Sequence, residues 1–106
     1  MAIRAAKSKI AAKKKSDLLY EAILTRETPE ECYHFFQDLC TVSEMRAMEQ
    51  RFEVAKLLND GMIYNDIVEQ TGASSATISR VNRSLLNGAS GYESILDKIA
   101  KQEEKE

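Results

Sequence analysis

The segment that most constrains the fold is residues 62–84, M-I-Y-N-D-I-V-E-Q-T-G-A-S-S-A-T-I-S-R-V-N-R-S. It reads as two short helices joined by a tight turn at Gly72. Ile67 and Val68 precede the glycine at helical spacing, and Ala73, Ile78 and Val81 follow it. Helices that cross steeply need a turn with positive φ, which glycine supplies without a Cβ clash. Thr71 and Ala73 are small enough for close approach. Ser74 or Ser75 can cap the second helix, because a hydroxyl oxygen accepts a free backbone N–H. Ile78 and Val81 are three apart, share one face and can pack on Ile67.

That arrangement leaves Ser75, Ala76, Ser79, Arg80, Asn82 and Arg83 pointing away from the packed face. With the cap Ser74, they form a surface that is small at its start and cationic or amide-bearing towards its end. No Asp or Glu occurs from Thr71 to Tyr92. Small residues let a helix sit deep in a DNA major groove. Arg and Asn carry hydrogen-bonding groups for phosphates and base edges. The reading is a helix-turn-helix over about 62–84 with double-stranded DNA as partner. The same pattern also fits an ordinary helical hairpin in a core, or a three-helix unit used for protein contacts.

At 106 residues the chain has room for one domain with a modest core. Glycine and proline are scarce and no alternating Val/Ile-rich run appears, so the expected fold class is all-α. Six helices are expected. The first runs from Ser16 to Arg26, with Leu18, Leu19, Ala22 and Ile23 on one side. Thr28-Pro29-Glu30-Glu31 opens the second as a capping box, with Glu31 reaching back. Thr41-Val42-Ser43-Glu44 repeats the box and opens a third helix through Leu58. Gly61 suits a left-handed cap after it. Met45, Met48, Phe52, Ala55 and Leu58 recur on that helix at spacings of three and four, as core or dimer surface. Asn87-Gly88-Ala89-Ser90-Gly91 breaks the chain before a last helix striped by Tyr92, Ile95, Leu96 and Ile99. A helical chain of this size often covers leftover apolar faces by dimerising.

The net charge of −2 is unevenly spread. Residues 1–15 hold six basic residues (Arg4, Lys7, Lys9, Lys13, Lys14, Lys15) and no acid. The helical body, residues 16–106, has nine basic and seventeen acidic residues, a net −8. A basic arm can track phosphates in a salt-dependent way, or be a solvated tail with a weak amphipathic strip. It lacks the apolar core and cleavage site of a signal peptide, and no apolar run could span a bilayer. The expected location is cytoplasmic, with no membrane partner.

Cys32 and Cys40 are eight residues apart on what reads as one helix, about 12 Å along its axis. That is too far for a disulfide or one metal ion, and their aromatic neighbours favour burial. His34 has no carboxylate or nucleophile at useful spacing. No paired-carboxylate, phosphate-cradle or nucleophile motif appears. The chain is not expected to be an enzyme, and no cofactor or metal is expected.

Three blocks carry a family likeness: Leu39-Cys40-Thr41 before S-E-M-R-A-M-E-Q-R, then V-A-K-L-L-N-D-G, then T-G-A-S-S-A-T-I-S-R-V-N-R-S-L. With them the chain resembles the Trp repressor family, and within it the YerC/YecD-type subgroup, from about Leu18 to Ile99. The resemblance implies six helices per chain interlocked into a homodimer, whose two reading helices address a roughly palindromic operator, one DNA turn apart. It implies a DNA-binding transcriptional regulator, with repression the expected outcome. It places Ser75, Ala76 and Ser79 at the groove. It also implies a ligand cleft at the positions of Thr41, Arg51, Thr77, Arg80 and Ser84. Arg51 and Arg80 keep two guanidinium groups that can receive a carboxylate. Val81, however, stands where tryptophan binders have glycine, and a β-branched side chain there takes room the indole ring needs. Tryptophan is therefore not the expected corepressor. Arg51 and Arg80 are left to phosphate, another acid or an acidic side chain of the dimer. Whether another small molecule binds stays open. Two other readings fit the residues: a helical protein-interaction module without sequence-specific DNA reading, and a sensor of an anionic metabolite.

Overall fold

The computed structural model of the chain describes residues 15–105, with side-chain environments from 17 to 104. The described residues form six helices and no strand. These are α1 (Lys15–Leu24), α2 (Pro29–Leu39), α3 (Val42–Asn59), α4 (Tyr64–Thr71), α5 (Ser75–Asn87) and α6 (Gly91–Lys105). All of the expected basic arm except Lys15 lies outside the described residues. The chain divides into two compact units, residues 1–41 and 42–106.

In the first unit, α1 stops at Leu24, two residues short of the expected Arg26. The Thr25 hydroxyl donates to the Ala22 carbonyl at 2.7 Å, and the Thr25 and Arg26 amides bond three residues back. Such bonds tighten and close a last turn. Thr28 caps α2, its hydroxyl accepting the Glu31 N–H at 3.2 Å, with Pro29 in the first turn. The reciprocal bond is shifted by one residue from the expected box: Glu31 Oε1 accepts the Glu27 N–H at 2.9 Å. Cys32 lies in α2 and Cys40 just past its end; both are free thiols and half-buried rather than buried. His34 is exposed beside Tyr33. No residue of α2 is fully buried, and Tyr20, Leu24, Tyr33 and Leu39 are exposed in this unit.

The second unit holds the core. Val54 and Ala55 of α3, Ile67 of α4, Ala73 of the turn, Ile78 and Val81 of α5 and Leu96 of α6 form one buried cluster. Phe52, Leu57, Leu58, Met62, Leu85 and Tyr92 pack around it. This is the apolar spacing of the sequence realised in space: residues three and four apart on α3, α5 and α6 meet Ile67 of α4 at a common centre. Four members of the expected stripes fall outside it: Met48 and Ile95 are exposed, Ile99 is half-buried, and Met45 is buried but not part of the cluster.

The end of α3 is closed by the backbone. The Gly61 N–H bonds the Leu58 carbonyl and the Met62 N–H the Leu57 carbonyl, both at 3.0 Å, with Gly61 at φ +90. That pair of bonds around a left-handed residue is the Schellman motif. At the break between α5 and α6 the positive φ (+69) falls on Ser90, while Gly88 is extended.

Candidate nucleic-acid interface

The turn at residues 72–74 decides how α5 leaves α4. Gly72 sits at φ +74 and its N–H bonds the Val68 carbonyl at 2.9 Å, ending α4 in a left-handed cap. Thr71 then works in both directions. Its hydroxyl donates to the Ile67 carbonyl at 2.7 Å and accepts the Ala73 N–H at 3.1 Å. Ala73 is buried, which draws the turn into the core. Of the two candidate caps, Ser74 is the one used, and Ser75 becomes the first residue of α5. Ser74 Oγ accepts the Thr77 N–H at 3.1 Å, satisfying a donor that the helix itself cannot.

On α5 the inner and outer faces separate as the spacing requires. Ile78 and Val81 are buried, whereas Ser75, Ala76, Ser79, Arg80 and Arg83 are exposed. Ala76 lies three and four residues before Ser79 and Arg80, and Arg83 three and four after Arg80 and Ser79, so they make a single stripe. Asn82 differs from the expected outward set: it is half-buried. It lies one turn beyond Ile78, and that places its flank at the edge of the packed face. The first turn of α5 carries no acidic residue. A surface of this kind offers hydroxyls, small side chains and guanidinium groups to an anionic partner, with no carboxylate on the helix to repel it.

The residues assigned by resemblance to a ligand cleft have mostly local partners. Arg51 is half-buried and its Nε donates to the Ala47 carbonyl at 3.2 Å. The Thr77 Oγ1 accepts the Ser74 hydroxyl at 3.0 Å, and the Ser84 carbonyl accepts the Gly88 N–H at 2.9 Å. Arg80 is exposed. Thr41 belongs to the first unit and is exposed. Val81 is 2% exposed, so its side chain is part of the core. A groove within the second unit, lined by Asn59, Ser90, Glu93, Ser94, Leu96, Asp97 and Ala100, contains none of these residues.

One contact at the turn has no signature in the sequence. Gln50 of α3 donates from Nε2 to the Thr71 carbonyl at 3.2 Å, across 21 residues of sequence. Helical periodicity places Gln50 on α3 but cannot say what its amide meets.

Comparison with known proteins gives the family and bears on the fold. The sequence profile described as Trp repressor protein matches residues 14–100. The chain belongs to the Trp repressor family. It is 48% identical over 90 residues to the uncharacterized protein YerC of Bacillus subtilis, covering 85% of this chain and 86% of that protein. Among solved structures it is similar to a putative Trp repressor from Staphylococcus aureus. That match has TM-score 0.79 and 48% identity, over 85% of this chain and 91% of the other. A TrpR-like protein from Eubacterium eligens matches with TM-score 0.79 and 46% identity, over 88% and 95% of the two chains. The expected family and the all-helical fold class are thus borne out. The family is of the DNA-binding regulator type rather than an enzyme family. Among the described residues no helix is long and apolar enough to cross a membrane.

Proposed function

We propose that this chain is a sequence-specific DNA-binding transcriptional regulator that acts as a homodimer and represses by covering promoter DNA. The observation that carries the reading is the outer stripe of α5. Ser75, Ala76 and Ser79 are small and exposed at its start, Arg80 and Arg83 are exposed beyond them, and Ile78 and Val81 anchor the opposite side in the core. In the groove, the first three sit closest to base edges while the arginines and Asn82 take phosphates or bases. Ser74, at the capped N-terminus, adds backbone N–H groups suited to a phosphate.

The dimer is supported by the apolar surface left uncovered. Leu24, Val42, Ile63 and Leu86 are each more than 60% exposed, and no residue of α2 is fully buried. A second copy would cover such faces and set two α5 helices about 34 Å apart, matching a palindromic site. Tryptophan is not the corepressor in this reading, because Val81 already fills its position with a packed side chain.

The test is selection of bound fragments from the parent genome by the full-length chain, followed by affinity measurement at several salt concentrations. A palindromic consensus with affinity that falls as salt rises is the expected result. Absence of salt-sensitive binding to any fragment would overturn it. Deleting residues 1–15 separates this reading from a protein-interaction module: a DNA reader keeps its sequence preference without the arm.

A further inference from the structure

We infer that Gln50 and Thr71 are positioning residues that hold the turn, and thereby aim α5; this rests on the DNA-reading role proposed above. The helix α4 has only eight residues and no side-chain cap at Ile63. A helix this short has little stability of its own, so its C-terminus must be held by contacts from outside. The Gln50 amide reaches from α3 to the Thr71 carbonyl at 3.2 Å, at the last residue of α4. From that same residue the hydroxyl ties Ile67 behind to Ala73 ahead, at 2.7 and 3.1 Å. Both side chains are half-buried, where a hydrogen bond faces less competition from water. The end of α4 is therefore tied at one residue to α3, to Ile67 one turn back and to Ala73 of the turn, which leads into α5.

The consequence is directional. Ser75, Ala76 and Ser79 follow the turn directly, and a reading surface must be held to about 0.5 Å to discriminate. Loss of the Gln50 donor leaves the core intact but frees the end of α4 to shift. The phosphate-facing arginines tolerate such a shift, since Coulomb attraction is not directional, whereas base contacts do not. Gln50 and Thr71 touch no DNA themselves in this scheme.

Two substitutions test it in the full-length chain. Gln50→Met keeps length and removes the donor; Thr71→Val keeps shape and removes the hydroxyl. Each is measured for thermal unfolding, for amide exchange at Gly72 and Ala73 against Val54, and for affinity to the genome-selected fragment against random DNA. Expected is faster exchange at the turn with Val54 unchanged. Preference for the selected fragment should fall about 5- to 10-fold, as one lost hydrogen bond implies, while random-DNA affinity is kept. Unchanged turn exchange in both variants would overturn the inference, as would an equal loss on both DNAs. If the wild type shows no fragment preference, the DNA-reading proposal fails, and the exchange result alone still decides whether this pair holds the turn. A variant that unfolds is replaced by the other, whose outcome then decides.

Discussion

Ser74 and Thr77 form a closed pair at the start of α5: the Ser74 oxygen accepts the Thr77 N–H at 3.1 Å while its hydroxyl donates to Thr77 Oγ1 at 3.0 Å. The pair uses two side chains to terminate one helix end, at the start of the helix proposed to read DNA. Ser74→Ala should cost about 1 kcal/mol and lower Tm by about 4–8 °C. Thermal unfolding followed by circular dichroism reads this directly, and an unchanged Tm would show that the cap is dispensable.

At Gly72 the φ of +74 is the constraint, since a Cβ there would have open space for 4 Å around it. Gly72→Ala should therefore destabilise by about 1–2 kcal/mol through backbone strain alone. Gly72→Asn should recover part of that loss, because asparagine tolerates the left-handed region. Urea unfolding of the two variants is the check. Equal losses would point instead to a side-chain clash.

Val81 lies in the core beside Ile67 and Ile78. Val81→Ala should destabilise by about 2 kcal/mol, from lost burial plus the cavity left behind. In the proposed reading, Val81 takes the room that a ligand ring would need. Calorimetric titration of the wild type with tryptophan should show no binding heat, and clear binding would reverse this reading.

Arg83 is exposed at the outer end of the α5 stripe and faces no carboxylate of its own helix. Arg83→Ala should leave stability unchanged and lower DNA affinity. If it contacts phosphate, the loss is uniform across sequences and the slope of log affinity against log salt drops by about 1. If it contacts a base, the loss appears only on the selected fragment. No loss on either DNA would remove it from the interface.

Much of this was legible in the chain because the signals are local. Gly72, the Thr28-Pro29 start, the Gly61 stop and the three-residue spacing of Ile78 and Val81 each act within a few residues. Helix bounds were therefore met to within two residues at most ends. The misreadings have a common cause. Ile95 and Met48 satisfy the apolar period yet stay exposed, because periodicity marks a face without saying whether a neighbour covers it. Asn82 satisfies the polar pattern yet sits half-buried, because α5 turns its flank towards the packed side. Glu31 completes a cap as expected but reaches Glu27 rather than Thr28.

The sequence by itself determined where helices begin and end, which faces are apolar, and that α5 carries no acid. These properties depend on φ preferences, caps and spacing, which operate at short range. Only the tertiary structure decided that Gln50 meets the Thr71 carbonyl and that Ala73 is drawn into the core. Those outcomes depend on how three helices approach one another, and a contact across 21 residues leaves no period in the chain that makes it.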